Sequence, residues 1–240
     1  MYGKNLKDIN TRSLVKKKNY SKYYLRDICT QQEFSYKKIE IKKPQNLCIN
    51  ETNFYIFIDK GNFKINNKNY KESKFIYSKN NLNFKVEKNT SFYIFFFRNV
   101  KKPKISQYKK YKNSKVYLKN YKIKKKYWGF IIDLVNNKDG AIKIIHMNKN
   151  SQSSMEFHIK KKENYFIDYG ELNLGLRYAR AMNSIIKLKQ NYTFLMKPGT
   201  IHMRMAIKDT KIIEISNKDF DNDSIIVHDG KKYNFNVGRS

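Results

Sequence analysis

Two short segments in the C-terminal half of this 240-residue chain constrain its fold more than any other feature. The first is Ser154-Met155-Glu156-Phe157-His158, running on through Lys161 and Glu163 to Gly170; the second is Lys197-Pro198-Gly199-Thr200-Ile201-His202. A strand sends successive side chains to opposite faces, so Glu156 and His158 point the same way. Glu163 comes five residues later, far enough to return from a neighbouring strand after a short turn. The Pro-Gly turn ahead of His202 carries a later strand back across the same sheet. Two carboxylates and two imidazoles can then converge on one ion, a donor set that suits a divalent borderline metal such as Zn, Mn or Fe.

The rest of the C-terminal half reads as a series of short strands. Apolar runs and alternations predict strands over 129–135, 141–147, 153–159, 163–168, 171–176, 185–188, 192–196, 201–207 and 211–216, separated by turn residues, which is the pattern of a β-sandwich or small barrel. Residues 177–184 read as a loop or a single helical turn, with Arg177 and Arg180 as spare cations. The N-terminal half holds a weaker copy. Phe57 to Ile65 matches Phe166 to Leu174, each a strand, a turn and a strand, with Gly61 and Gly170 separated by 109 residues. Residues 92–97 would mirror residues 211–216. The copy lacks the chemistry, because residues 1–126 contain no histidine and Phe54 stands seven before Gly61 where Glu163 stands before Gly170.

These readings divide the chain into a basic N-terminal segment over 1–45, a degenerate half over 46–100, a Lys-rich linker over 101–126 and a metal-competent domain over 127–240. The net charge of +31 is concentrated in the first part: residues 1–126 carry 33 basic against 8 acidic side chains. Residues 101–126 contain twelve lysines and no acid, with Tyr108, Tyr111, Tyr117 and Tyr121 interleaved. Lysines beside exposed rings are what a single-strand binder uses, so nucleic acid is one candidate partner. It is the less favoured one, since Lys, Asn, Ile, Tyr and Phe are abundant together, as AT-rich codons alone produce. No apolar run approaches the roughly 20 residues a spanning helix needs. Met1 to Asn5 has no apolar signal core, which predicts a cytoplasmic product without a membrane partner. Cys29 and Cys48 are too few for a zinc site and are expected as thiols.

The two segments and their surroundings resemble the cupin superfamily, whose first motif runs ligand-x-His, Glu, Gly and whose second runs Pro-Gly-x-x-His. Over residues 127–230 the chain is similar to the mannose-6-phosphate isomerase type: Tyr127-Trp128-Gly129 opens the region, Lys161 fills a basic slot two before the Glu, and Glu214-Ile215-Ser216 with Asp221 to Ile226 resembles the family's tail. The resemblance implies an all-β jelly-roll barrel, here a bicupin with a degenerate N-terminal half. It implies a divalent metal on Glu156, His158, Glu163 and His202, with Lys161 as the catalytic or substrate-holding cation. The implied activity is aldose-ketose isomerisation of a sugar or sugar phosphate, with a non-catalytic ligand-binding cupin as the alternative and a homodimer compatible with either. Two departures stand out: Glu156 replaces a neutral ligand, and the arginine of the family's C-terminal stretch is replaced within Ser224 to Val227 and Gly230-Lys231-Lys232. Of the remaining histidines, His146 reads as a surface or core-edge residue and His228 as solvated; Trp128 reads as a core cap.

Overall fold

The computed structural model describes residues 12–108 and 113–235. The first strands in chain order are β1 (Arg12–Leu14), β2 (Lys17–Asn19), β3 (Tyr23–Thr30), β4 (Ser35–Ile41), β5 (Gln45–Ile49) and β6 (Phe54–Lys60). Then come β7 (Asn62–Ile65), β8 (Lys68–Lys71), β9 (Phe75–Ser78), β10 (Leu82–Val86), β11 (Ser91–Phe96), β12 (Ile105–Gln107) and β13 (Val116–Leu118). The second half supplies β14 (Lys122–Lys126), β15 (Gly129–Asn137), β16 (Gly140–Met147), β17 (Met155–His158), β18 (Glu163–Tyr169) and β19 (Glu171–Tyr178). It ends with β20 (Ser184–Lys189), β21 (Tyr192–Met196), β22 (Thr200–Ala206), β23 (Thr210–Ser216), a 3₁₀ turn at Asp221–Asp223 and β24 (Ser224–His228). No helix among the described residues is long and apolar enough to cross a membrane.

The chain forms two compact units. One is Val15–Tyr121; the other begins at Lys122 and takes in β1 from the N-terminal side. Each pairs a seven-stranded antiparallel sheet with a five-stranded one. In the first unit the orders are β13-β9-β6-β11-β4-β3-β2 and β12-β5-β10-β7-β8. In the second they are β1-β21-β18-β23-β16-β15-β14 and β20-β19-β22-β17-β24. Strand for strand these are the same jelly roll, so the all-β, two-barrel architecture implied by the resemblance is present.

The repeat extends to small details. Gly61 joins β6 to β7 with φ +83° and Gly170 joins β18 to β19 with φ +89°. After each glycine the next backbone N–H donates to a threonine hydroxyl, Asn62 to Thr90 at 3.4 Å and Glu171 to Thr210 at 3.1 Å. Asp27 sits opposite Lys37 and Asp133 opposite Lys143, and in both hairpins the register shifts immediately beyond that pair. What differs is the filling. The first barrel is packed with Leu47, Ile49, Phe54, Ile56, Phe63, Phe84 and Phe92, and the Phe63 ring stacks on Phe84 at 4.6 Å and meets Phe92 edge-on at 4.7 Å. Side chains thus fill the interior of the first barrel as a packed core.

The nine strands expected in the C-terminal half are those observed as β15 to β23. Residues 179–183 between β19 and β20 form a turn without a helix, with Ala179 at φ 49°. The expected boundaries in the first half are displaced. Residues 23–41, read as part of the basic N-terminal segment over 1–45, form β3 and β4 of the seven-stranded sheet, and the unit starts at Val15 rather than at residue 46. Charged side chains masked the strand pattern there: Lys37 is fully buried and its ammonium bonds Asp27 at 2.6 Å and the Thr30 hydroxyl at 2.7 Å. The Lys-rich segment read as a linker carries β12 and β13 as edge strands of the first unit and β14 as an edge strand of the second. Lysines at sheet edges also discourage edge-to-edge association. Tyr111 lies outside the described residues. Both cysteines are buried and neither is in a disulfide.

Candidate metal centre

Three strand segments, each with functional residues at alternate positions, build the site: β17 and β22 from the five-stranded sheet and β18 from the seven-stranded one. β17 presents Glu156 and His158, β18 presents Glu163 and Tyr165, and β22 presents His202 and Arg204. β17 pairs with β22 with Glu156 opposite His202, which is why segments more than 40 residues apart in sequence meet there. Ligand atoms of Glu156, His158 and His202 all lie within 4.8 Å of one another. Glu163 joins them, with Oε1 at 3.4 Å from His202 Nε2 and Oε2 at 3.9 Å from His158 Nε2.

The electrostatics of this cluster fit a cation. His202 is fully buried, and its Nδ1 lies 3.1 Å from the Thr200 carbonyl, an acceptor, so Nδ1 carries the proton and Nε2 exposes a lone pair. Burial lowers the His202 pKa against the pull of Glu163 and Glu156, which keeps the imidazole neutral. That lone pair faces Glu163 Oε1 and, at 3.9 Å, Glu156 Oε1, so three acceptors converge. The His158 Nδ1 is buried with no hydrogen-bond partner among the described residues. Burial disfavours the charged form of both carboxylates, yet both stay ionised. Arg204 outweighs it at Glu156, and Lys161 holds Glu163 well below the usual range. Glu156, His158 and His202 could hold a borderline divalent metal, with Glu163 beside them.

Around the cluster lies a dense ionic network. Arg204 Nη2 donates to Glu156 Oε1 at 2.9 Å, and the Ser224 hydroxyl donates to Glu156 Oε2 at 3.0 Å. Tyr165 donates its hydroxyl to Glu163 Oε1 at 2.6 Å. Lys161 is buried, with its ammonium 2.5 Å from Glu163 Oε2, 2.8 Å from Glu214 and 3.3 Å from Asp219. Burial alone would lower its pKa, but those three carboxylates raise it well above the ordinary lysine value. Lys143 neutralises the far side of Asp219 at 2.7 Å. A cavity of about 340 Å³ opens beside the cluster, and Lys124, Lys126, Trp128, Glu214 and Phe220 share its wall with Glu156, His158 and Glu163.

Of the residues singled out from sequence, Glu156, His158, Glu163 and His202 are brought together. Lys161 is beside them but committed to carboxylates. Trp128 is buried in the core and also lines the cavity, with the Arg204 guanidinium 5.7 Å from its ring centre. Arg177 and Arg180 line no part of the cavity. His228 is exposed and stacked on Tyr233 at 4.1 Å. Arg204, Tyr165, Ser224, Lys143 and Asp219 were not anticipated. Arg204 and Tyr165 each stand two residues beyond a ligand on the same strand, so alternation alone places them on the same face.

His146 lies outside the cavity, stacked on Phe130 at 4.5 Å and 3.4 Å from the Tyr169 hydroxyl. Burial, reinforced by Lys211, lowers its pKa to about 4 against the partial opposition of Asp168. The unfolded chain therefore binds a proton that the folded chain refuses, and stability falls as the pH drops below about 6.5 towards 4. A fully enclosed ring would cost up to ~3 kcal/mol by pH 4, which partial exposure reduces to about 1 kcal/mol. His146→Phe should remove this part of the slope between pH 7 and 5 in denaturant titrations; an unchanged slope would refute it.

No protein-family profile and no curated protein sequence matches the chain. Solved structures do. The oxalate decarboxylase of Bacillus subtilis, in its structure at pH 4.6, superposes with a TM-score of 0.66 at 9% identity, covering 91% of this chain and 78% of that one. The Lactobacillus farciminis oxalate decarboxylase formate complex gives 0.65 at 10% identity, covering 91% and 88%. A further structure of the Bacillus enzyme, described for its Mn(II) centres, gives 0.68 at 8% identity, covering 91% and 79%. At such identities the likeness concerns the fold. The chain thus has the two-barrel cupin fold, with a three-residue candidate metal cluster in its second barrel.

Proposed function

We propose that the second barrel is a metal-dependent centre for a small anionic substrate, with a sugar phosphate as the leading class. One juxtaposition supports this reading: the candidate cluster of Glu156, His158 and His202, with Glu163 3.4 Å from His202, stands beside a cavity that Lys124 and Lys126 also line. A divalent ion held there would supply Lewis-acid polarisation of a substrate oxygen. Lys124 pairs with Asp133 at 2.6 Å, while the exposed Lys126 offers its charge to an anionic group and stands in for the missing family arginine. Trp128 and Phe220 provide apolar wall against the body of the substrate.

Isomerisation also needs a proton carrier. Lys161 is a poor one, because its proton is held by three carboxylates. Glu214 is better placed: burial raises its pKa, and it lines the cavity. A ligand-binding barrel without turnover is the second reading, favoured by the commitment of Lys161.

The test is exchange of the C2 proton of hexose and pentose phosphates with solvent, followed by NMR on protein loaded with Mn, Zn or Co. Oxalate and other short carboxylates form a parallel panel because of the structural neighbours. Exchange or turnover that disappears in His158→Ala supports a catalytic centre. Saturable binding without conversion supports the binding module, and metal-loaded protein that binds no anion refutes both.

A further inference from the structure

We infer that Lys161 is a built-in counter-ion that shares Glu163 with the metal and sets both the affinity and the selectivity of the site. The inference rests on the reading of Glu156, His158, Glu163 and His202 as a divalent centre. The central lysine of Lys160-Lys161-Lys162 is not a solvated turn residue. Its segment is clamped from outside: Asp223 accepts from the backbone N–H of Lys160 and Lys161, each at 2.8 Å, and Asn217 accepts from Lys162 N–H at 2.8 Å. The clamp drives the Lys161 side chain inward while Lys160 stays exposed.

Inside, the ammonium caps Glu163 Oε2 at 2.5 Å, while Tyr165 donates to Oε1 at 2.6 Å. Oε1 faces His202 at 3.4 Å and Oε2 faces His158 at 3.9 Å, so the lysine sits on the oxygen of the His158 side. The ammonium competes with a metal for Oε2, which disfavours bidentate binding by Glu163. Glu214 and Asp219 are tied to the same ammonium. A large, oxygen-demanding ion such as Ca²⁺ wants six to eight oxygens and bidentate carboxylates, so Lys161 discriminates against it. The positive charge, 2.5 Å from Glu163 Oε2, would also repel a divalent ion that Glu163 helps to hold.

Replacing the lysine should therefore tighten the site while loosening the fold. In Lys161→Met, chelator-competition titrations should show Mn²⁺ or Zn²⁺ bound roughly 10-fold or more tightly than in the wild type. Ca²⁺ binding should appear where the wild type has little. Without metal the variant should melt about 5 °C or more lower, with metal restoring most of the loss. A purely structural lysine would lower the melting temperature without raising affinity. Should Lys161→Met fail to fold, Lys161→Met combined with Glu214→Gln keeps the net charge and removes one stranded carboxylate, and it should still bind metal several-fold more tightly. Lys161→Arg should restore wild-type selectivity. If the wild type binds metal and neither methionine variant binds it more tightly, the counter-ion role is wrong and the metal centre stands. If no variant nor the wild type binds any divalent ion, both fall.

Discussion

His202→Ala should lose its divalent metal almost completely, with affinity falling at least about 100-fold, since even changes behind the ligands typically cost 10- to 100-fold. The reason is geometric. His202 Nε2 is the point on which Glu163 at 3.4 Å and Glu156 at 3.9 Å both bear, so its removal leaves two carboxylates without the neutral donor between them. His158→Ala should have a comparable effect on metal, but the two variants should differ in stability. His202 is fully buried and its Nδ1–H bonds the Thr200 carbonyl, so its loss strands a buried acceptor and costs about 1–3 kcal/mol in addition to the cavity. His158 Nδ1 has no such partner to lose. Elemental analysis, chelator competition and apo-protein melts measure the three quantities. Metal retained at wild-type affinity in both variants would sink the assignment of the centre.

The site was legible to the extent that it follows strand alternation. Glu156-x-His158 and the Pro-Gly turn before His202 carry their geometry in their spacing, and each lands on β17 or β22 as that spacing requires. Arg204 and Tyr165 obey the same rule but carry no motif of their own, so only the paired strands reveal that both face the ligands. Asp219, Ser224 and Lys143 arrive from other strands or from the segment after β23, and no local pattern brings them to Lys161 or Glu156. Lys161 shows the limit most clearly. Lys160-Lys161-Lys162 reads as a solvated turn or a substrate hook, and only the Asp223 clamp, some 60 residues on, shows which lysine turns inward. The first barrel was half legible for a related reason. β6, β7 and β11 are apolar enough to be read directly, whereas β4 buries Lys37 against a partly exposed Asp27 on β3, and a buried lysine looks in sequence like a solvated one.

Gly170→Ala should be among the most destabilising single substitutions in the second unit, costing about 3–5 kcal/mol against a typical total of 5–15 kcal/mol. Gly170 holds φ +89°, where any Cβ is strained by about 1–2 kcal/mol. The added Cβ would also stand 2.2 Å from the Asp209 carbonyl oxygen and 2.7 Å from Thr210 Cα, and both contacts are backbone. Thr210 begins β23, which lies between β18 and β16 inside the seven-stranded sheet, so it cannot retreat without disturbing the ladder on both sides. The Thr210 hydroxyl that receives the Glu171 N–H would be displaced as well, from 2.6 Å off the new Cβ. Gly199→Ala provides the control. It shares the positive φ at +75° but meets nothing within 4 Å, so only the dihedral strain of about 1–2 kcal/mol remains. Urea titrations of the two variants separate crowding from backbone strain. If both lost the same stability, the close approach of the Gly170 turn to β23 would have no energetic weight, and dihedral strain alone would account for the glycine.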